Sequence, residues 1–80
     1  MSSVMDAVRL IVSDVLELPI EAVTADTTSQ SQENWDSVHH LSIMMGLEER
    51  FGVEFEPEEV ESMLSVARME EVILRHTSRK

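Results

Sequence analysis

Two adjacent side chains, Asp36 and Ser37, stand where an apolar helical pattern begins. Backbone N–H groups at a helix start have no acceptor within the helix, and the helix dipole is positive there. A hydroxyl at that point is exposed, and a phosphodiester built on its oxygen is stabilised by the same groups. The plainer alternative is capping. Asp and Ser are favoured N-cap residues, so either side chain explains itself without further chemistry. From these two residues alone, the cap is the simpler reading.

Other reactive residue types offer less. His40 lies three residues after Ser37, on a neighbouring part of the same helix surface. A serine nucleophile needs an oriented base and an oxyanion hole, and the chain has no G-x-S-x-G elbow. No catalytic residue is assigned, and the chain does not read as an enzyme. His40 falls near an apolar stripe and reads as a partly buried packing residue. His39 and His40 project about 100° apart on a helix, a poor arrangement for sharing an ion. Glu54, Glu56, Glu58, Glu59 and Glu61 lack the residue order of a calcium loop and read as a solvated acidic face. No metal ligand is assigned.

The elements that position these residues must fit in 80 residues, which read as a single domain over 1–80. A domain this small buries roughly 60% of the surface its unfolded chain exposes, which leaves little room for a deep pocket. There is no cysteine, so disulfides and zinc–thiolate sites are excluded. No apolar run approaches the roughly 18 residues of a membrane span, and no signal peptide is visible, so a soluble, cytoplasmic monomer is expected. The 16 acidic residues outnumber 6 basic ones, for a net charge of −10. That surface repels nucleic acid, which binds clustered Lys and Arg, and it attracts partners with basic patches.

Met, Leu, Val and Glu are plentiful, while Gly and Pro number two each, a composition that favours helix. The first helix is expected from about Ser3 to Leu16. Ser3 and Asp6 form a candidate capping box, Val4, Val8, Ile11, Val12 and Val15 form its apolar stripe, and Pro19 is the stop signal. A long loop follows from Glu17 to Trp35, without apolar periodicity in its second half, and loops of this length are often functional. Ile20 and Val23 are expected to pin its first half to the core. The second helix spans Ser37 to Phe51, with Asp36 as N-cap and Gly52 just past its end. A short third helix starts at Pro57, and a fourth runs from about Ser65 to His76 on a face of Val66, Met69, Val72 and Ile73. The fold class is therefore all-α, a four-helix bundle with three main helices and a short third one.

The second helix carries two apolar stripes. Ile43, Met44, Leu47 and Phe51 share one side and are expected in the core. Val38, Leu41 and Met45 lie on another side. A small bundle can bury both stripes. Alternatively Val38, Leu41 and Met45 stay exposed as a docking surface, a role that the adaptable Met side chain suits.

The segment Trp35-Asp36-Ser37-Val38-His39-His40-Leu41, continued by Gly46-Leu47-Glu48-Glu49-Arg50-Phe51-Gly52-Val53, resembles the signature region of acyl carrier proteins. That family has Asp-Ser-Leu at the start of its second helix and Leu-Glu-Glu-x-Phe at the end. Here the triplet is Asp36-Ser37-Val38, and the resemblance extends over nearly the whole chain. It implies that Ser37 receives a 4′-phosphopantetheine arm from coenzyme A through a phosphopantetheinyl transferase, with Asp36 as the motif's cap. It implies a carrier that holds acyl intermediates as thioesters for loading and chain-modifying enzymes of fatty-acid or polyketide-type biosynthesis. It favours docking of those enzymes on Val38, Leu41 and Met45; Glu48 and Glu49, bordering the Met45 side, and Glu58, Glu59 and Glu61, a neighbouring acidic face, are expected to meet basic patches around that apolar contact. An aminoacyl or peptidyl carrier is the alternative within this group, and a helical interaction module without an arm is the alternative outside it. Two departures bear on the pathway. Ser29, Glu33 and Asn34 replace an aromatic residue and a Leu-Gly pair common before the motif, and His39 and His40 replace an acidic and a small polar residue. A dedicated pathway is at least as consistent with them as the housekeeping fatty-acid route.

Overall fold

Helix α1 (Ser3–Leu16) owes its position to a buried stripe. Val8, Val12 and Leu16 are fully enclosed, with Val4, Ile11 and Val15 packed at the margins. The computed structural model describes residues 3–78, with side chains from residue 4. The capping box expected of Ser3 and Asp6 depends on a side chain outside that description. The helix stops two residues before Pro19 can act. Glu17 adopts a left-handed φ of 56°, and Leu18 N–H donates to the Ser13 carbonyl at 2.9 Å, a Schellman-type ending with Glu in the usual glycine place.

Four α-helices make up the described chain: α1, α2 (Ser37–Phe51), α3 (Pro57–Ser62) and α4 (Val66–Thr77). Among the described residues there is no strand, and no helix is long and apolar enough to cross a membrane. The all-α bundle with a short third helix is the architecture expected from the periodicity. Helix α1 packs against both α2 and α4. Ile43, Met44 and Leu47 of α2 meet Val66, Met69, Val72 and Ile73 of α4 in one core, closed below by Met63 and Phe55. Gly46 lets α2 approach α1 closely, because a Cβ there would lie 3.2 Å from Ile11 Cγ2. Gly52 ends α2 at φ 66°, a backbone conformation that costs a residue with a Cβ about 1–2 kcal/mol.

The long loop is more ordered than its sequence indicates. Ile20–Ala22 form a 3-10 turn that Arg9 clamps, its Nε and Nη2 donating to the Val23 and Ile20 carbonyls at 2.5 and 3.1 Å. Val23 is fully buried as expected, but Ile20 is 36% exposed. At Ile20 the anchor is the backbone carbonyl held by Arg9, not the side chain. Further along, Thr28 and Ser65 form an isolated bridge, with Ser29 N–H donating to Leu64 O at 2.9 Å and Val66 N–H to Thr27 O at 3.0 Å. The loop is thereby tied to the turn between α3 and α4. Buried backbone groups need partners, and here they find them in a segment far along the chain.

Candidate functional site

Ser37 is the first residue of α2 and is exposed. Its N-cap Asp36 has extended backbone, and one carboxylate oxygen accepts the His39 backbone N–H at 2.9 Å. The same oxygen is 2.8 Å from His39 Nδ1. The His39 backbone N–H first, and the His39 side chain second, hold the Asp36 carboxyl below its ordinary value of 3.8. The cap is thus a carboxylate at neutral pH. It takes the N–H of the third helical residue and leaves those of Ser37 and Val38 facing outward, as the first N–H groups of a helix do. Their partial positive charge is available to an anionic group on the Ser37 oxygen.

His40 is half-buried, as its place near the apolar stripe predicts, but its role is polar. Trp35 Nε1 donates to His40 Nδ1 at 3.0 Å, and His40 Nε2 lies 2.7 Å from the Val60 carbonyl oxygen. An indole N–H can only donate and a carbonyl can only accept, so in this arrangement His40 Nδ1 is the acceptor and Nε2 the donor. It links the loop, α2 and α3. With both ring nitrogens occupied, it cannot serve Ser37 as a base. Trp35 itself is buried and places the loop end directly before the cap. The sequence pattern gave no sign of this bridge, because Trp35 and Val60 sit at unrelated positions in any helical projection.

The two stripes of α2 divide. Ile43, Met44 and Leu47 are buried, whereas Val38, Leu41 and Met45 are 70, 57 and 68% exposed. Phe51 departs from expectation. It is only half-buried, packing on the core edge with the Arg50 guanidinium 5.8 Å above its ring. It lies in the last turn of α2, next to the left-handed Gly52 that ends the helix.

The acidic candidates divide as well. Glu49, Glu58 and Glu61 are exposed. Glu48 is half-buried, and its Oε2 accepts the Phe55 N–H at 2.8 Å, fastening the connection after α2. Glu59 is half-buried too. Its Oε1 accepts the Glu56 N–H at 2.8 Å in a capping box, and His76 Nε2 reaches its two oxygens at 3.0 and 3.1 Å. The Glu56 N–H chiefly, with His76 and Arg75 behind it, holds the Glu59 carboxyl below 4.5, against partial burial that pushes it up. His76 of α4, expected only at a helix end, is therefore the anchor of α3.

A family model described as a phosphopantetheine attachment site matches residues 6–73. The chain belongs to the acyl carrier protein family. An acyl carrier protein of Thermosynechococcus vestitus is 35% identical over 65 residues, covering 81% of this chain and 80% of the relative. One from Akkermansia muciniphila is 35% identical over 66 residues, 82% of each chain. Acyl carrier protein 3 of Ralstonia nicotianae is 32% identical over 54 residues, 68% of this carrier and 62% of the relative. The prosthetic group of this carrier is 4′-phosphopantetheine, and its part in biosynthesis is carriage, not catalysis. A transferase and biosynthetic enzymes are its partners by family. An exposed hydroxyl beside outward-facing N–H groups fits the phosphate end of that arm.

Proposed function

We propose that this carrier bears its arm on Ser37 and presents acyl intermediates to enzymes of fatty-acid or polyketide-type biosynthesis. The observation that carries the assignment is the exposed Ser37 hydroxyl at the start of a capped, 15-residue helix, next to an exposed apolar face on the same helix. On loading, the Ser37 oxygen attacks the pantetheine-side phosphorus of coenzyme A, the P–O bond of the pyrophosphate bridge breaks, adenosine 3′,5′-bisphosphate leaves, and the serine proton is lost to solvent or the transferase. When bound, the arm supplies a thiol that holds the acyl group as a thioester. The protein's own contribution is to fix the attachment point, favour the phosphate charge and offer a surface for docking.

That surface is Val38, Leu41 and Met45, with Glu49 one turn beyond Met45 on the same helix and Glu58 and Glu61 exposed on α3. An exposed apolar patch with a charged border is the pattern of a partner-binding site. Glu48 and Glu59 contribute less, since their oxygens are engaged in holding the segments around α3. His39, exposed in part beside Ser37 where relatives have an acidic residue, leaves a dedicated pathway at least as consistent with this surface as the housekeeping one.

Incubation with coenzyme A and a broad-specificity transferase tests the attachment. The expected result is one added arm on the wild-type chain and none on Ser37→Ala. Undiminished gain in Ser37→Ala refutes it.

A further inference from the structure

Directly beside Ser37 the surface dips into a shallow cavity of about 250 Å³, lined by Ser29, Trp35, Asp36, Ser37, His40 and Leu64. Its walls come from three segments: the end of the long loop, the start of α2 and the turn between α3 and α4. Those walls are fixed to one another. Trp35 is held by His40, and the Leu64 carbonyl accepts the Ser29 N–H at 2.9 Å. The depression therefore exists before anything enters it, which lowers the ordering cost of an occupant. Leu64 is 45% exposed despite its apolar side chain, and the Ser29 hydroxyl makes no hydrogen bond to another described residue.

We infer that this cavity seats the pantoyl end of the arm, an inference that rests on Ser37 being the attachment point. Past the phosphate, the arm presents a methylene, a quaternary carbon with two methyl groups, a hydroxyl and an amide. The methyl groups match Leu64 and the accessible edge of Trp35, and the hydroxyl or amide matches the Ser29 oxygen. Size sets the limit. At roughly 30 Å³ per water, the cavity holds about eight waters' worth of material, enough for the pantoyl unit but not for the whole arm. The thiol end and its cargo project beyond it. None of Val38, Leu41 and Met45 lines the cavity, so a seated arm leaves the docking face clear. The site holds the proximal arm in one direction and reduces the volume its distal end must search.

The test uses the holo-carrier loaded with an arm carbon-13 labelled in its two pantoyl methyl groups. Intact mass first establishes that one arm is present. Nuclear Overhauser contacts are then measured from those methyls. The expected result is contact with the Leu64 methyls and with the Trp35 ring, which is unambiguous because the chain has one tryptophan. In Leu64→Ser the contacts are lost and the methyls relax like those of an untethered chain. The melting temperature stays close to wild type, because Leu64 is half-exposed. A correctly loaded carrier whose arm methyls contact only Ser37 and Val38 overturns the subsite and leaves the attachment standing. So does Leu64→Ser with unchanged methyl relaxation. Absence of the mass gain, by contrast, overturns the attachment itself and the subsite with it.

Discussion

At Ser37 the chemistry follows from a few local rules: a carboxylate cap, outward N–H groups and a hydroxyl that nothing covers. Those rules are written in adjacent residues, so Asp36, Ser37 and the left-handed Gly52 were legible in the sequence. His40 was not. Its partners lie 5 and 20 residues away in the chain, and only the packed structure shows that an apparent packing residue is a hydrogen-bonded bridge. The bridge makes a clear prediction. His40→Leu leaves the buried Trp35 N–H and the Val60 carbonyl unpaired, and each such loss costs about 1–3 kcal/mol. For a domain of this size, 1 kcal/mol moves the melting temperature by about 4–8 °C. The variant should therefore melt well below wild type, with the emission of its single tryptophan altered while still folded. Unchanged melting and emission would show that the bridge contributes nothing.

Among the elements, the helices were legible because apolar spacing, caps and proline placement all agreed. The loop before α2 was not, since its order comes from backbone hydrogen bonds to Leu64 and Val66, which leave no periodic trace. The end of α1 at Leu16 agrees with the spacing, but its cause is the left-handed Glu17 rather than Pro19, which lies beyond the turn. Helix α2 carries the sharpest contrast. Leu47→Ala removes a fully buried side chain and should cost about 2–5 kcal/mol. Val38→Ala and Met45→Ala, on the exposed face, should stay within about 0.5 kcal/mol yet slow arm attachment or partner turnover. Thermal unfolding beside a transferase assay separates the two faces, and Met45→Ala as destabilising as Leu47→Ala would rule out the docking face. Helix α3 hangs on Glu59. Because its folded carboxyl sits below 4.5, its stabilising contribution is complete above that pH and is lost as pH falls through the folded value. Melting temperature should thus drop as pH falls below 4.5, and Glu59→Gln should flatten that dependence. An equally steep pH profile in Glu59→Gln would place the acid sensitivity elsewhere.

Over the whole molecule, a net charge of −10 surrounds a small core and the exposed apolar face of Val38, Leu41 and Met45. Charge of one sign draws in partners of the other, and salt screens it over about 8 Å at physiological ionic strength. Loading by a partner should slow as salt rises and in Glu49→Lys, whereas rates indifferent to both would count against electrostatic docking. The charge and the helix order were legible from composition and spacing. The division of the acidic residues was not, because Glu48 and Glu59 look like Glu49 and Glu58 until the fold turns two of them inward. A single hydroxyl, that of Ser37, is proposed to carry the arm. Fragmentation of the intact loaded chain in a mass spectrometer reads the position directly. The added mass should fall only on fragments containing Ser37 and on none that contain Ser29, Ser31 or Ser42 without it. Added mass on any fragment lacking Ser37 would contradict the account.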